Sequence, residues 1–134
     1  MANILYDNFL EQVLQGNVDL LTVNIKAVLV DLADYTPNAS THGNLADIPA
    51  AARVATSGNL TGKTVTNGTF DSDPPVLPSV TGDQSEAVVL YVDTGVGATS
   101  TLIGLWDTAS AGLPVTPDGN NINVNPNAAG WFSL

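Results

Sequence analysis

The chain contains no cysteine, which removes disulfides and thiolate metal sites from consideration. It is also poor in positive charge. Lys26, Arg53 and Lys63 are its only cations, against 13 acidic residues, for a net charge of −10. They do not cluster along the sequence, whereas binding to nucleic acid releases counterions through several cations gathered on one face. DNA and RNA are therefore not expected as partners, and neither is an anionic membrane surface. A single His and a single Met leave few soft donors, so no metal and no cofactor is expected. The longest strongly apolar stretch, Ala27 to Val30, is far short of the ~20 residues that cross a bilayer. Residues 1–7 lack the basic and apolar regions of a secretory leader, so the chain is expected to be made in the cytoplasm of its cell.

The 134 residues amount to a single domain, 1–134. Its hydrophobic fraction of 44% is enough to build a core rather than a disordered chain. Charged residues make up only 12%, about half of the ~25% usual in soluble domains. Thr, Asn, Gly and Pro cover the deficit with 47 of the 134 positions. Thr favours strands and the other three favour turns, so the composition predicts an all-β domain.

Residues 1–16 read as an N-terminal helix or arm. Leu5, Phe9, Leu10, Val13 and Leu14 recur at three- and four-residue spacing over 3–14, and Gly16 supplies a stop. Residues 22–134 read as a β-sandwich. In 23–30, Val23, Ile25, Ala27 and Leu29 share one face, while Val28 and Val30 make the other apolar near the end. A short strand is expected at 53–56. Asn67-Gly68 between two β-rich runs predicts a two-residue hairpin joining 60–66 to 69–71. Residues 75–80, with Pro78, suit an edge strand. Residues 86–93 are apolar on both faces and should be central, paired with 101–107. Residues 121–125 and 130–134 complete about eight strands, consistent with a jelly-roll-like antiparallel sandwich.

Few residues suggest chemistry. Ser40, His42 and Asp47 lie close in sequence, but no nucleophile-elbow pattern surrounds them, and a loop-structuring hydrogen bond is the expected role of His42. Asp71 with Asp73, and Asp31 with Asp34, invite a carboxylate-site reading, yet no calcium-loop pattern accompanies them. Gly62-Lys63-Thr64 resembles the end of a phosphate loop, but residue 57 is Ser where the pattern needs Gly. Trp106, Trp131, Tyr91 and Phe132 fall on expected strands, where aromatics serve as core. An enzyme is not expected.

Taken in order, many segments resemble a family of small virion proteins of tailed bacteriophages. They include Asn-Ile-Leu-Tyr-Asp-Asn-Phe (3–9), Ile-Lys-Ala-Val-Leu-Val-Asp (25–31), Tyr-Thr-Pro-Asn (35–38) and Ser-Thr-His (40–42). They continue with Leu-Thr-Gly-Lys-Thr-Val (60–65), Ala-Val-Val-Leu-Tyr-Val-Asp-Thr-Gly (87–95), Gly-Leu-Pro-Val-Thr-Pro-Asp-Gly (112–119) and Phe-Ser-Leu (132–134). The resemblance spans nearly the whole chain and implies a capsid decoration, or cement, protein on the outside of the virion. Its implied partners are the major capsid protein and further copies of itself, as a homo-trimer or dimer. Alternatives are a tail, neck or fibre-base component and a carbohydrate-binding module. The expected contact residues are Tyr6, Phe9 and Leu10 on the N-terminal segment, Tyr35, Pro37 and His42 on the following loop, and Trp131 and Phe132 at the C-terminus.

Overall fold

A computed structural model describes residues 4–107, 113, 115–124 and 130–133. Residues 1–3 of the expected N-terminal helix or arm and the last residues of the two C-terminal strands (Asn125 and Leu134) lie outside them. The described elements are β1 (Ile4–Leu5), α1 (Asp7–Leu14), β2 (Ile25–Val30), β3 (Arg53–Thr56), β4 (Thr64–Thr66), β5 (Thr69–Asp71), β6 (Val76–Leu77), β7 (Ala87–Val92), β8 (Leu102–Trp106), β9 (Ile122–Asn123) and β10 (Phe132–Ser133). Single 3₁₀ turns occupy Leu45–Asp47 and Ala50–Ala52. The protein is mainly β, with antiparallel sheets and one short helix near the N-terminus.

The principal sheet runs in the order β1-β8-β7-β2-β3. Its centre, β2 and β7, is buried on both faces, as continuous apolar runs require. Ile25, Ala27 and Leu29 with Val88, Leu90 and Val92 face one cluster, and Val28 and Val30 with Ala87, Val89 and Tyr91 face another. The first cluster is closed by α1 and by two smaller sheets, β10-β5-β4 and β6-β9, through Phe9, Phe70, Leu77, Ile122 and Trp131. The second is closed by the 31–52 segment through Tyr35, Ile48 and Ala52. Each large apolar side chain in these clusters contributes about 1.5–3 kcal/mol on burial.

A bulge sets the faces of β8. Leu90 pairs with Gly104 but Tyr91 pairs with Leu102, leaving Ile103 as the extra residue. The shift turns Ile103 into the first cluster beside Trp106, while Leu102 and Leu105 face the second; Gly104 shares the face of Trp106. A Cβ on Gly104 would come within 2.8 Å of both the Ile4 carbonyl oxygen and the Trp106 ring. Glycine at this position admits the indole and the backbone of β1 together.

The expected hairpin forms as β4–β5, with Asn67 at φ 53° and Gly68 at φ 78°. The helix is shorter than its spacing suggests: Ile4 and Leu5 pair with Leu105 and Gly104 instead of joining it. Its end follows Schellman geometry. Gly16 at φ 75° donates to the Val13 carbonyl, and the Asn17 amide donates to that of Gln12.

Candidate functional site

The structure divides the expected contact residues. Tyr6 and Phe9 are 0% exposed, and Tyr35 and Trp131 are buried as well, so these four offer no side-chain surface to a partner. Burial corrects their assignment: apolar content at the chain ends is spent on the domain's own core. Leu10, Pro37, His42 and Phe132 are half-buried and remain on the surface. Trp106 and Tyr91 are also interior, which leaves Trp106 and Trp131 unavailable as an exposed platform for a sugar ring.

Tyr6, Tyr35 and His42 form a hydrogen-bonded chain from the interior outward. The two phenol oxygens lie 2.8 Å apart, and Tyr35 Oη lies 3.0 Å from His42 Nδ1. The Asn38 amide also donates to Nδ1, at 3.2 Å. A backbone N–H is only a donor, so Nδ1 carries the lone pair and the neutral ring's proton sits on Nε2. Tyr35 then donates to His42 and accepts from Tyr6. Burial pushes both phenols above the ordinary tyrosine range, and the bond to Tyr35 raises Tyr6 further.

The same loop takes up the rest of the Ser40–His42–Asp47 trio. The Ser40 hydroxyl donates to Asn38 Oδ1. Asp47 Oδ2 accepts the amides of Gly43 at 2.8 Å and Asn44 at 3.0 Å, closing a capping box on the 3₁₀ turn. Those two amides hold its carboxyl below the usual carboxylate range. Hydrogen bonding therefore gives each of the three a local partner, and none has another of the trio. A polar cleft of about 340 Å³ lies outside this loop, bounded by Asp7, Glu11, Thr41 and His42 among others.

Of the two carboxylate pairs, Asp71 and Asp73 turn to separate partners. Asp71 Oδ1 accepts the Ser72 amide, whereas Asp73 Oδ2 accepts the Thr61 hydroxyl. Asp31 and Asp34 are joined by Asp83, with one oxygen of each inside a 4.8 Å circle. Asp31 Oδ1 is already engaged by the Ala33 amide. The sequence spacing paired only the first two, because Asp83 arrives from a turn some fifty residues away.

A second cleft, also about 340 Å³, is apolar. It is lined by Val13, Val18, Leu20, Val65, Phe70 and Phe132, with Asp19 as the only charged residue on its wall among the described residues. Phe132, Phe70 and Val65 are consecutive cross-strand neighbours on β10, β5 and β4. Phe70, in the middle of the row, is buried. At one end the half-buried Phe132 meets Phe9 edge-on, ring centres 5.7 Å apart. At the other end Val65 is 49% exposed, and Leu14 (87%) and Leu21 (50%) are exposed nearby in the sequence that forms the opposite wall. β4 is an edge strand whose three residues are all exposed, so among the described residues its outer backbone groups pair with no strand.

Sequence reasoning missed this groove. It counted Leu14 as part of the helix's buried stripe, but a stripe containing both Val13 and Leu14 is wider than the face α1 presents before the chain turns at Gly16. The usable signal was the density of Val and Leu over 13–21, more than one short helix can bury.

Arg53 donates from Nε to the Ile48 carbonyl, Lys63 donates to the Val23 carbonyl, and Lys26 pairs with Asp93 at 3.1 Å. All three cations are thus engaged within the chain. Among the described residues no helix is long and apolar enough to cross a membrane. Compared with known proteins, the sequence matches no family model and no curated protein.

Proposed function

We propose that the chain is a structural protein of a tailed-bacteriophage virion. Its role is that of a capsid decoration protein that binds the major capsid protein shell from outside and stabilises it. The jelly-roll-like wiring, the homo-trimeric or dimeric state and the residence on the capsid exterior belong to the same reading. One observation carries it: an apolar groove opens beside a strand edge that is uncharged and, among the described residues, unpaired, on a strongly acidic domain. Exposed apolar patches mark contact sites, and an open edge accepts an extended segment of a partner by strand addition. A modest contact of this kind suits a particle with many copies, where avidity supplies what each contact lacks. The acidic surface suits a position away from packaged DNA.

The test is the copy number in purified particles, by quantitative mass spectrometry against the major capsid protein. A ratio of one, or a simple fraction of it, supports decoration of the whole head. A handful of copies moves the protein to the tail, neck or fibres. Its absence from particles overturns the reading.

A further inference from the structure

We infer that Asn67 is a site of spontaneous covalent modification, in which its side-chain amide is lost through a succinimide and a carboxylate appears at the rim of the apolar groove.

Asn67-Gly68 is the single Asn-Gly step in the chain. It forms the tip of the β4–β5 hairpin, and both residues are exposed. The reacting groups are unencumbered. Within the described residues, neither the Asn67 carboxamide nor the Gly68 amide has a hydrogen-bond partner, because the hairpin closes through Thr66 and Thr69 on either side. Gly68 has no Cβ to obstruct its nitrogen. Other exposed asparagines lack this combination: Asn59 precedes Leu60, and Asn120 precedes Asn121.

The step balances without an oxidant or reductant. The Gly68 nitrogen loses its proton to solvent base and attacks Cγ of Asn67. An N–C bond forms, the Cγ–NH2 bond breaks, and ammonia leaves. Water then opens the five-membered imide. Cleavage at Cγ gives an aspartyl residue, and cleavage at the backbone carbonyl gives an isoaspartyl one. Because the attacking amide must be deprotonated, the rate rises with pH.

The consequence follows from position. Gly68 lines the groove, so the product adds a negative charge at its lip. The isoaspartyl form also inserts a methylene into a two-residue loop whose positive φ values set the β4–β5 register. Weakened docking of the aged chain rests on the function proposed above, whereas the modification does not.

The experiment ages the full chain for days in mildly alkaline buffer, folded and in urea. Trypsin and chymotrypsin then release the 64–70 peptide by cutting after Lys63 and Phe70. The expected result in the folded chain is a gain of one mass unit in that peptide, with an isoaspartyl product detected by enzymatic methylation. It should accumulate roughly tenfold faster than at Asn59 or Asn120, because only at Asn67 is the following residue free of a Cβ, and faster still as pH is raised. The Asn67→Gln chain should show no such gain. Conversion in urea but not in the folded chain overturns the inference, as does a folded rate no faster than at Asn59 or Asn120. Failure of fresh chain to bind heads counts against the virion reading alone, because the mass readout needs no partner.

Discussion

Trp106 donates its ring Nε1 proton to the backbone carbonyl of Trp131 at 2.8 Å, with the two indoles 5.1 Å apart and inclined at 64°. Trp131 in turn donates its Nε1 proton to Ser72 Oγ at 2.8 Å, and Ser72 donates to the Asp73 carbonyl. The principal sheet, the C-terminal strand and the end of β5 are thereby tied through two buried rings.

Trp106→Phe removes the donor and leaves the Trp131 carbonyl unpaired in the core. The expected loss is about 1–3 kcal/mol, the cost of stranding a buried polar group. Urea unfolding should show a lower midpoint, with altered indole fluorescence reporting loosening of the C-terminal strand.

Gly104→Ala places a methyl 2.8 Å from the Ile4 carbonyl oxygen and the Trp106 ring. Backbone on one side and a buried ring on the other leave little room to yield, so about 1–3 kcal/mol is lost to overpacking. Hydrogen exchange should show β1 released first, because the methyl pushes directly on its backbone.

The polarity of the Tyr6–Tyr35–His42 chain makes its two phenols unequal. Tyr35→Phe strands the Tyr6 hydroxyl, fully buried, without an acceptor and should cost about 1–3 kcal/mol. Tyr6→Phe removes only the bond that Tyr35 accepts, for about 0.5–1.5 kcal/mol. Equal losses in denaturant titrations would contradict the direction assigned to the chain.

All three tyrosines of the sequence have raised pKa values, with burial as the leading cause in each. Their stabilisation is fully present below the unfolded tyrosine pKa of about 10, and is lost as pH rises above it because the unfolded chain ionises first. Tyrosinate absorbance should therefore appear together with loss of structure. Asp47 and Asp93 act in the opposite sense. The amides of Asn44 and Gly43 hold Asp47 low; the Gly95 amide and then Lys26 hold Asp93 low. Their contribution is present above about pH 4 and is lost as pH falls through the folded values.

Val65→Thr tests the groove. Val65 is exposed, so stability should change by no more than about 0.5 kcal/mol. On the proposed role, occupancy on heads should fall, and unchanged occupancy would remove the groove as the docking surface.

Local chemistry decided much of this protein in advance. Alternation and doubly apolar runs marked β2, β7 and β8. Asn67-Gly68 specified its hairpin because few other residue pairs accept positive φ at both positions, and Gly16 ended α1 for the same steric reason. The absence of cysteine and the scarcity of cations bounded the chemistry without reference to any fold. Tertiary structure decided which apolar residues are hidden. Tyr6, Phe9, Tyr35 and Trp131 looked like contact residues because they lie near chain ends and loops, yet each fills a space left by strands far away in sequence. Leu14 was counted in the apolar stripe of the helix, yet it is 87% exposed. Burial is set by what packs against a residue, and those neighbours come from distant segments, so no local pattern specifies it. The strand edge and the groove beside it exist only once β4, β10 and the 13–21 segment have met.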